Sequence, residues 1–434
     1  MFKIKQADKP HIGKIIRDLR EYRGLSQEEL ARVAFFNRST LSFIESGSQD
    51  CPDDILLSIK TALDLKDLPL HDYERSVFRD MLHKWYNIIS ERNLSEAEEL
   101  RIKLSIIQLL PHDIELNNLF SLFDCRLLLG LNMLEASKGI LGVFEAKLNE
   151  LSDTQLYHHF YNQGTYNTRK KQYKIALEYY LKSYELMKYG FEKNITLYYN
   201  IAICYERLGY VALAVTFLEE ARRLHTFGQN NVPELNVYSF LGINYAYTGH
   251  LQRAKTLLDK AHAIALNDYN ASEIAKYNLC MVLSNLGYTY RLAKKWSRAI
   301  EYLDNAVQYT TNETSDYLEI LYQKIRTLIE MGNPLSCADL LSEGVKLSKG
   351  NEVYSTMFEA LKLLICLTEK SAKQLEIKII PCLLDNNVFY PVLDYAIVLR
   401  DYYKTRRGFK TRALEMSDII FTILSKMQEG GVIE

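Results

Sequence analysis

The sequence predicts an all-α protein in which a small N-terminal domain of helices precedes a long array of paired helices. Apolar residues recur at helical spacing along most of the 434 residues, and no segment shows the alternation of a half-buried strand. From residue 156 onward, small residues also recur at fixed offsets, as stacked helix pairs require. The chain contains 8 Pro and 19 Gly, so few positions interrupt a helix.

The composition indicates a globular protein and argues against several classes of function. Hydrophobic residues make up 48% of the chain and charged residues 25%, as in globular proteins. The net charge of -1 argues against a broad binder of polyanions, although residues 1–38 carry nine Lys and Arg against five Asp and Glu. The N-terminus lacks the apolar segment of a signal peptide, and no apolar run is long enough to span a membrane. We therefore expect a cytoplasmic protein.

The cysteines and histidines do not form the patterns of metal sites. The seven Cys include no CxxC pair, and Cys204, Cys280 and Cys366 lie in apolar helical contexts that predict buried thiols in a reducing compartment. The nine His are scattered. Phosphate-loop, dinucleotide-binding, serine-hydrolase and zinc-protease motifs are absent from the sequence. We expect no metal, no cofactor and no enzymatic activity.

Residues 25–47 are predicted to form two short helices joined by a tight turn. Ser26 and Glu29 have the spacing of a capping box. Asn37 is placed to cap the second helix, and Gly47 is placed to end it. Apolar residues of the second helix face inward, which leaves an outward polar face suited to a major groove. An ordinary helical hairpin is the alternative interpretation.

The string LSQEELA, a short turn and RSTLSFIESG closely resemble the helix-turn-helix of the Cro/repressor-like (XRE) family. The resemblance covers residues 12–65 and implies a five-helix, lambda repressor-like DNA-binding domain. The turn departs from the family, because Phe35, Phe36 and Asn37 stand where Gly, Val and Ser are usual. We predict base contacts from Arg38, Ser39, Ser42 and Phe43, and DNA-backbone contacts from Gln27, Asn37 and Thr40.

Four later segments align on small residues. In the first helix of each segment these are Gly164, Ala202, Gly242 and Gly287. Twelve residues later stand Ala176, Ala214, Ala254 and Ala299, and seven residues after those stand Ser183, Ala221, Ala261 and Ala306. Small residues at fixed points let paired helices pack closely. The pattern resembles the tetratricopeptide repeat (TPR), which implies a right-handed superhelix with a concave inner surface.

The resulting domain prediction has four parts. They are a helix-turn-helix domain at 1–66, a linker at 67–72, a helical region of degenerate repeats at 73–155, and a TPR superhelix for peptide binding and dimerisation at 156–434.

Amide side chains recur on one face of the first helices. Two residues before each small residue stand Asn162, Asn200, Phe240 and Asn285, and Gln323 takes this place in a weaker fifth repeat. An amide matches the donors and acceptors of a peptide backbone. The alternative is that these residues pack between repeats. The predicted peptide groove comprises Tyr161, Asn162, Tyr199, Asn200, Asn285 and Gln323, with Arg207 and Arg291 available to a carboxylate.

A repressor-type helix-turn-helix followed by TPRs to the end of the chain resembles the RRNPP peptide-pheromone receptors (Rap, Rgg, NprR, PlcR and PrgX), with an NprR-like length. The resemblance implies a cytoplasmic homodimer or higher oligomer that regulates transcription. Its implied partners are a double-stranded DNA operator and a short imported peptide held by groove asparagines. Two alternatives stay open: a peptide-controlled protein that sequesters or dephosphorylates a response regulator, and a phage regulator of lysis and lysogeny.

Overall fold

The computed structural model describes residues 12–63, 72–90, 93–105, 113–188, 194–224, 231–268, 273–312 and 314–430. The described residues are helical and contain no strand, which confirms the all-α prediction. The chain divides into two compact units, residues 1–171 with 182–191 and residues 172–181 with 192–434. The predicted linker at 67–72 lies, except for its last residue, outside the described residues.

The first unit is built on one continuous apolar core that extends from Ile16 to Leu151. Trp85 is fully buried in this core, and its indole N–H donates to the carbonyl oxygen of Ala97 at 2.8 Å. Its helices are α1 (Ile12–Tyr22), α2 (Gln27–Val33), α3 (Arg38–Ser46), α4 (Asp53–Ala62), α5 (Asp72–Ser90), α6 (Leu94–Leu104), α7 (Ile114–Gly130), α8 (Leu134–Glu145) and α9 (Asp153–Arg169).

The N-terminal domain has four helices within residues 12–63, one fewer than the domain that the resemblance implies. The helical pattern of α4 ends at its cap residue Leu63, and the next described helix begins at Asp72. Helix α3 packs against both α1 and α2, and α2 also packs against α4. Leu30, Leu41 and Ile44 are fully buried among these helices.

In the second unit, helices pack in consecutive pairs, and α10 (Tyr173–Lys188) contributes to both units. No helix of the described residues is long and apolar enough to cross a membrane. The remaining helices are α11 (Ile195–Arg207), α12 (Val211–Leu224), α13 (Asn231–Tyr247), α14 (Leu251–Asp268), α15 (Glu273–Leu292), α16 (Trp296–Val307), α17 (Ser315–Glu330), α18 (Ala338–Leu347), α19 (Glu352–Ile365), α20 (Glu369–Gln374), α21 (Ile380–Asp385), α22 (Phe389–Lys404) and α23 (Lys410–Gln428).

The aligned small residues are the contact points of the helix pairs. A Cβ added to Gly242 would lie 2.6 Å from Cγ of Leu258, and one added to Gly287 would lie 2.7 Å from Cγ of Leu303. A Cβ at either place would require the facing leucine to shift, so glycine lets these paired helices approach closely. The alanines at the second and third aligned positions are fully buried as well: Ala176, Ala214, Ala254, Ala299, Ala221, Ala261 and Ala306. The predicted repeat packing is confirmed.

The cysteine predictions hold in part. Cys204 and Cys280 are buried, and burial raises the pKa of the Cys280 thiol to about 12. The prediction for Cys366 is wrong, because this side chain is exposed. Helix α19 ends at Ile365, and Cys366 follows with non-helical backbone (φ -127°), which removes it from the apolar face of that helix.

Candidate functional sites

The start of α2 is fixed by the predicted capping box. The Ser26 hydroxyl accepts a hydrogen bond from the backbone N–H of Glu29 at 3.1 Å, and the Glu29 carboxylate accepts from the backbone N–H of Ser26 at 2.7 Å. The hydrogen bonds that the Glu29 carboxylate accepts from the backbone N–H and from the hydroxyl of Ser26 lower the pKa of its carboxyl group. Asn37 stands at the N-cap of α3, but its side chain makes no capping hydrogen bond. Gly47 ends α3 in the left-handed conformation, at φ 75°.

The turn between α2 and α3 is a Schellman motif with an unusual residue at its centre. Phe36 N donates to the carbonyl oxygen of Ala31 at 3.0 Å, and Phe35 N donates to that of Arg32 at 3.3 Å. Phe35 adopts φ 60°, a conformation that favours glycine, and its side chain is 95% exposed. The turn therefore keeps the geometry that the missing glycine usually supports, at a cost in backbone strain.

We expect Phe35→Gly to raise the free energy of opening of α2 and α3 by about 0.5–1 kcal/mol relative to Phe35→Ala. Both variants remove the exposed ring, so the difference between them isolates the strain of the left-handed backbone. Hydrogen exchange of the α3 amides measures the opening free energy. Identical exchange in the two variants would contradict the strained turn.

A buried ion pair fixes α3 against α1. On α3, the Glu45 carboxylate accepts hydrogen bonds from Nε and Nη2 of Arg20 at 2.7 and 2.9 Å, and from Nε2 of Gln27 at 2.8 Å. Nη1 of Arg20 donates to the carbonyl oxygen of Leu25 at 2.7 Å. The bidentate geometry sets the orientation of α3 as well as its position.

The sequence analysis did not identify this support. The sequence pattern that could have revealed this ion pair is a pair of opposite charges on core-facing sides of two helices. Arg20 lies four residues after the apolar Ile16, and Glu45 lies four residues after the apolar Leu41, so each shares the inward face of its helix. Gly13 is a second support, because a Cβ there would lie 1.6 Å from the carbonyl oxygen of Ile44. Helix α1 therefore approaches the backbone of α3 directly.

The outward face of α3 presents most of the predicted DNA contacts to solvent. Arg38, Ser39 and Ser42 are exposed, and Phe43 is 53% exposed. Asn37 at the start of the helix is exposed too. Thr40 and Gln27 are half-buried, and Gln27 is held by Glu45. The structure thus brings the predicted base-reading side chains together on one face of a firmly held helix.

In the first unit, two predicted groove residues are part of the packing between helices. Asn162 is buried, and its amide donates to the carbonyl oxygen of Leu122 on α7 at 2.8 Å. Tyr161 is buried as well, and its hydroxyl accepts from Nη2 of Arg126 at 2.9 Å. These contacts match the packing interpretation of the sequence pattern rather than an accessible binding surface.

In the second unit, two of the three remaining amides are more accessible. Asn200 and Asn285 are half-buried, and Asn285 donates to the hydroxyl of Ser239 on α13 at 3.0 Å. Tyr199 is half-buried, and its ring lies 5.6 Å from that of Phe240. Gln323 is buried, and its amide donates to Glu319 at 2.7 Å.

The two predicted arginines occupy different environments. The side chain of Arg207 is 56% exposed, with Nε 3.4 Å from the carboxylate of Glu206. The side chain of Arg291 is 4% exposed and donates to Glu330 at 2.6 Å and to Asp394 at 3.3 Å. Arg291 is therefore already neutralised within the chain, whereas Arg207 remains accessible to a ligand.

The surroundings of Arg207 hold polar atoms without hydrogen-bond partners. Oε2 of Glu206 and the hydroxyl of Tyr390 are both buried and form no hydrogen bond, although Oε2 of Glu206 lies 3.4 Å from Nε of Arg207. Burial raises the pKa of Glu206, and the Glu206 carboxylate in turn raises the pKa of Arg207, with smaller contributions from the hydroxyls of Tyr247 and Tyr354. Buried polar groups are usually hydrogen-bonded, so these two atoms are exceptions among the buried groups near Arg207.

Two family models match the chain. Residues 11–72 match a helix-turn-helix domain, and residues 192–267 match the tetratricopeptide repeat. The regulatory protein RapD of Bacillus subtilis (strain 168) is 24% identical over 352 residues, which cover 77% of this chain and 95% of RapD.

Solved structures share the fold. The apo form of the quorum sensor NprR from B. thuringiensis superposes with a TM-score of 0.64 at 20% identity, covering 81% of this chain and all of that chain. A Rap protein complexed with competence and sporulation factor gives a TM-score of 0.66 at 16% identity, covering 81% of this chain and 98% of that chain. In its helix-turn-helix domain, its TPRs and its Rap/NprR fold, and in its similarity to RapD, the chain resembles the RRNPP regulators.

Proposed function

We propose that the protein is a transcriptional regulator that reads operator DNA through α3 and is switched by a short linear peptide bound to its TPRs. The observation that carries the proposal is the exposed row of Arg38, Ser39 and Ser42 on a helix held by the buried Arg20–Glu45 pair. A short, rigidly supported helix with outward polar side chains suits a major groove.

Four of the predicted DNA contacts have a definite chemical role. Arg38 suits the O6 and N7 acceptors of guanine, and the exposed ring of Phe43 suits a thymine methyl group. Asn37 and Thr40 suit phosphate oxygens, which position the domain without reading sequence. A homodimer would present two such helices to half-sites about 34 Å apart.

The peptide part of the proposal concerns the second unit. NprR is described as a quorum sensor and is also solved in complex with its cognate peptide NprX, so these structures support a peptide ligand. We assign the peptide backbone to Asn200 and Asn285 and a peptide carboxylate to Arg207, whose side chain is accessible. A peptide that bridges several repeats would favour one arrangement of the helices and thereby alter DNA binding.

Arg38→Ala tests the DNA-reading assignment. We expect it to cost about 1–3 kcal/mol of discrimination at one base pair, because a bidentate guanine contact is lost. A DNA sequence selected for tight binding to the wild-type chain serves as the operator. The affinity of each chain is then measured for variants of this operator in which one base pair at a time is changed. Arg298→Ala is the matched control, since Arg298 is an exposed arginine of α16 in the second unit. An unchanged sequence preference in Arg38→Ala would refute the assignment.

The similarity to RapD supports a second candidate function, the peptide-controlled capture of a response regulator. The phosphatase form of this alternative needs a catalytic Gln in the N-terminal helices, and the sequence singles out none. Affinity capture from a cytosolic extract, with and without peptide, separates capture of a response regulator from DNA regulation.

A further inference from the structure

A cleft of about 430 Å³ lies between α12 and α14 of the second unit. It is lined by Glu219 and Arg222 of α12 and by Gln252, Arg253, Thr256 and Leu257 of α14. Both helices are the second helices of successive repeats, whereas Asn200, Arg207 and Asn285 lie on the first helices α11 and α15. The α12–α14 cleft is therefore a separate surface from the predicted peptide contacts.

One carboxylate holds both arginines of the α12–α14 cleft. Glu219, whose side chain is 15% exposed, accepts hydrogen bonds from Nε of Arg222 at 2.7 Å and from Nη2 of Arg253 at 2.8 Å. It also accepts one from the hydroxyl of Tyr245 on α13 at 3.0 Å. The ring centroid of Tyr245 lies 4.2 Å from Cζ of Arg253, which adds a cation–π contact. The two guanidinium groups are therefore positioned before any ligand arrives.

The α12–α14 cleft has an excess of positive charge. Although burial acts to raise the pKa of Glu219, the hydrogen bonds from Arg222 and Tyr245 and the arginine charges lower it overall, so the carboxylate is ionised at neutral pH. Two cations then share one anion. A guanidinium group has five N–H donors, and each arginine gives one of them to Glu219. Within the described part of the chain, their other N–H groups make no hydrogen bond and are available to an anion.

The shape and chemistry of the α12–α14 cleft suit an acidic segment of a protein. Gln252, Arg253 and Thr256 are exposed, so the cleft is open to solvent, whereas sites for small molecules enclose most of their ligand. Guanidinium groups pair with carboxylates through parallel hydrogen bonds, and arginine clusters recognise acidic segments. Leu257 adds an apolar contact to the lining. Charge complementarity thus favours a protein segment that carries Asp or Glu side chains.

We propose that the α12–α14 cleft docks an acidic segment of a partner protein, with a carboxylate of that segment held between Arg222 and Arg253. Glu219 is a positioning residue, because it holds the two arginines and does not itself attract an anion. The inference goes beyond the DNA and peptide sites of the proposed function, since it assigns a third surface on other helices. A partner bound here leaves Asn200, Arg207 and Asn285 accessible, so partner and signalling peptide can bind at the same time.

The test uses the full-length chain and two fluorescein-labelled hexapeptides, the acidic EDLEDL and its amide counterpart QNLQNL. In fluorescence anisotropy, the wild-type chain should bind the acidic probe about ten-fold more tightly than the amide probe. Arg222→Ala and Arg253→Ala should each weaken binding of the acidic probe about five-fold. Arg223→Ala is the matched control and should bind as the wild type does. Arg223 lies next to Arg222 and pairs with Glu220 at the same spacing, but it does not line the cleft.

A second pair of variants leaves the hydrogen bonds of Glu219 intact. Gln252→Glu adds a carboxylate to the lining and should weaken binding of the acidic probe about five-fold, whereas the neutral Gln252→Met should not. Equal affinity for the two probes, or unchanged affinity in Arg222→Ala and Arg253→Ala, would overturn the proposal. An equal loss in Arg223→Ala would overturn it too, because the probe would then respond to surface charge alone. Loss of probe binding in Arg207→Ala would place the probe at the predicted peptide contacts and would likewise overturn the cleft.

Discussion

Replacing Glu45 by alanine should unfold the N-terminal domain and abolish sequence-specific DNA binding. The substitution leaves the Arg20 guanidinium buried without its two charged hydrogen bonds and removes the acceptor of Gln27. Breaking one side of a buried ion pair costs about 3–5 kcal/mol. A domain of this size has only about 3–8 kcal/mol of stability in total. Hydrogen exchange of α1 to α4 and operator affinity measure the two effects.

Two further variants show whether the ion pair itself is responsible. Glu28→Ala removes an exposed carboxylate of α2 and should leave both readouts unchanged. The double variant Arg20→Met with Glu45→Leu should recover most of the folding free energy, because apolar residues can replace a buried ion pair. A folded, DNA-binding Glu45→Ala chain would show that α3 is held by its apolar contacts alone.

Local and periodic signals explain what the sequence could predict. The Ser26–Glu29 cap and the Gly47 terminus depend on residues three or four positions apart, and both are present. Gly242 and Gly287 occupy the same position in successive repeats. A small residue that recurs at this position indicates where the two helices of a pair pack closely. The exposed face of α3 follows from helical periodicity in the same way.

Contacts between distant residues explain what the sequence could not predict. The repeat pattern places Asn162 on a defined helical face, but does not reveal that the carbonyl of Leu122 lies opposite it. The position of Arg291 suggests a carboxylate ligand, while its partners Glu330 and Asp394 lie 39 and 103 residues later in the chain. Periodicity places a side chain on a face and contains no information about which later helix will cover that face.

Arg207→Ala and Arg291→Ala should separate a ligand contact from a structural one. Arg291→Ala leaves Glu330 and Asp394 to share Arg326, so we expect a loss of about 3–5 kcal/mol in the free energy of unfolding of the second unit. Arg207→Ala removes a half-exposed side chain, so the unit should keep its fold. Denaturant unfolding followed by circular dichroism measures both stabilities.

Peptide binding should show the complementary pattern for Arg207. Loss of a charge-assisted hydrogen bond to a peptide carboxylate should cost about 1.5–3 kcal/mol of binding free energy in Arg207→Ala. The matching test is the same peptide with its carboxylates amidated, which should bind wild-type and Arg207→Ala chains equally. A large loss of fold stability in Arg207→Ala would mean that its contact with Glu206 is structural.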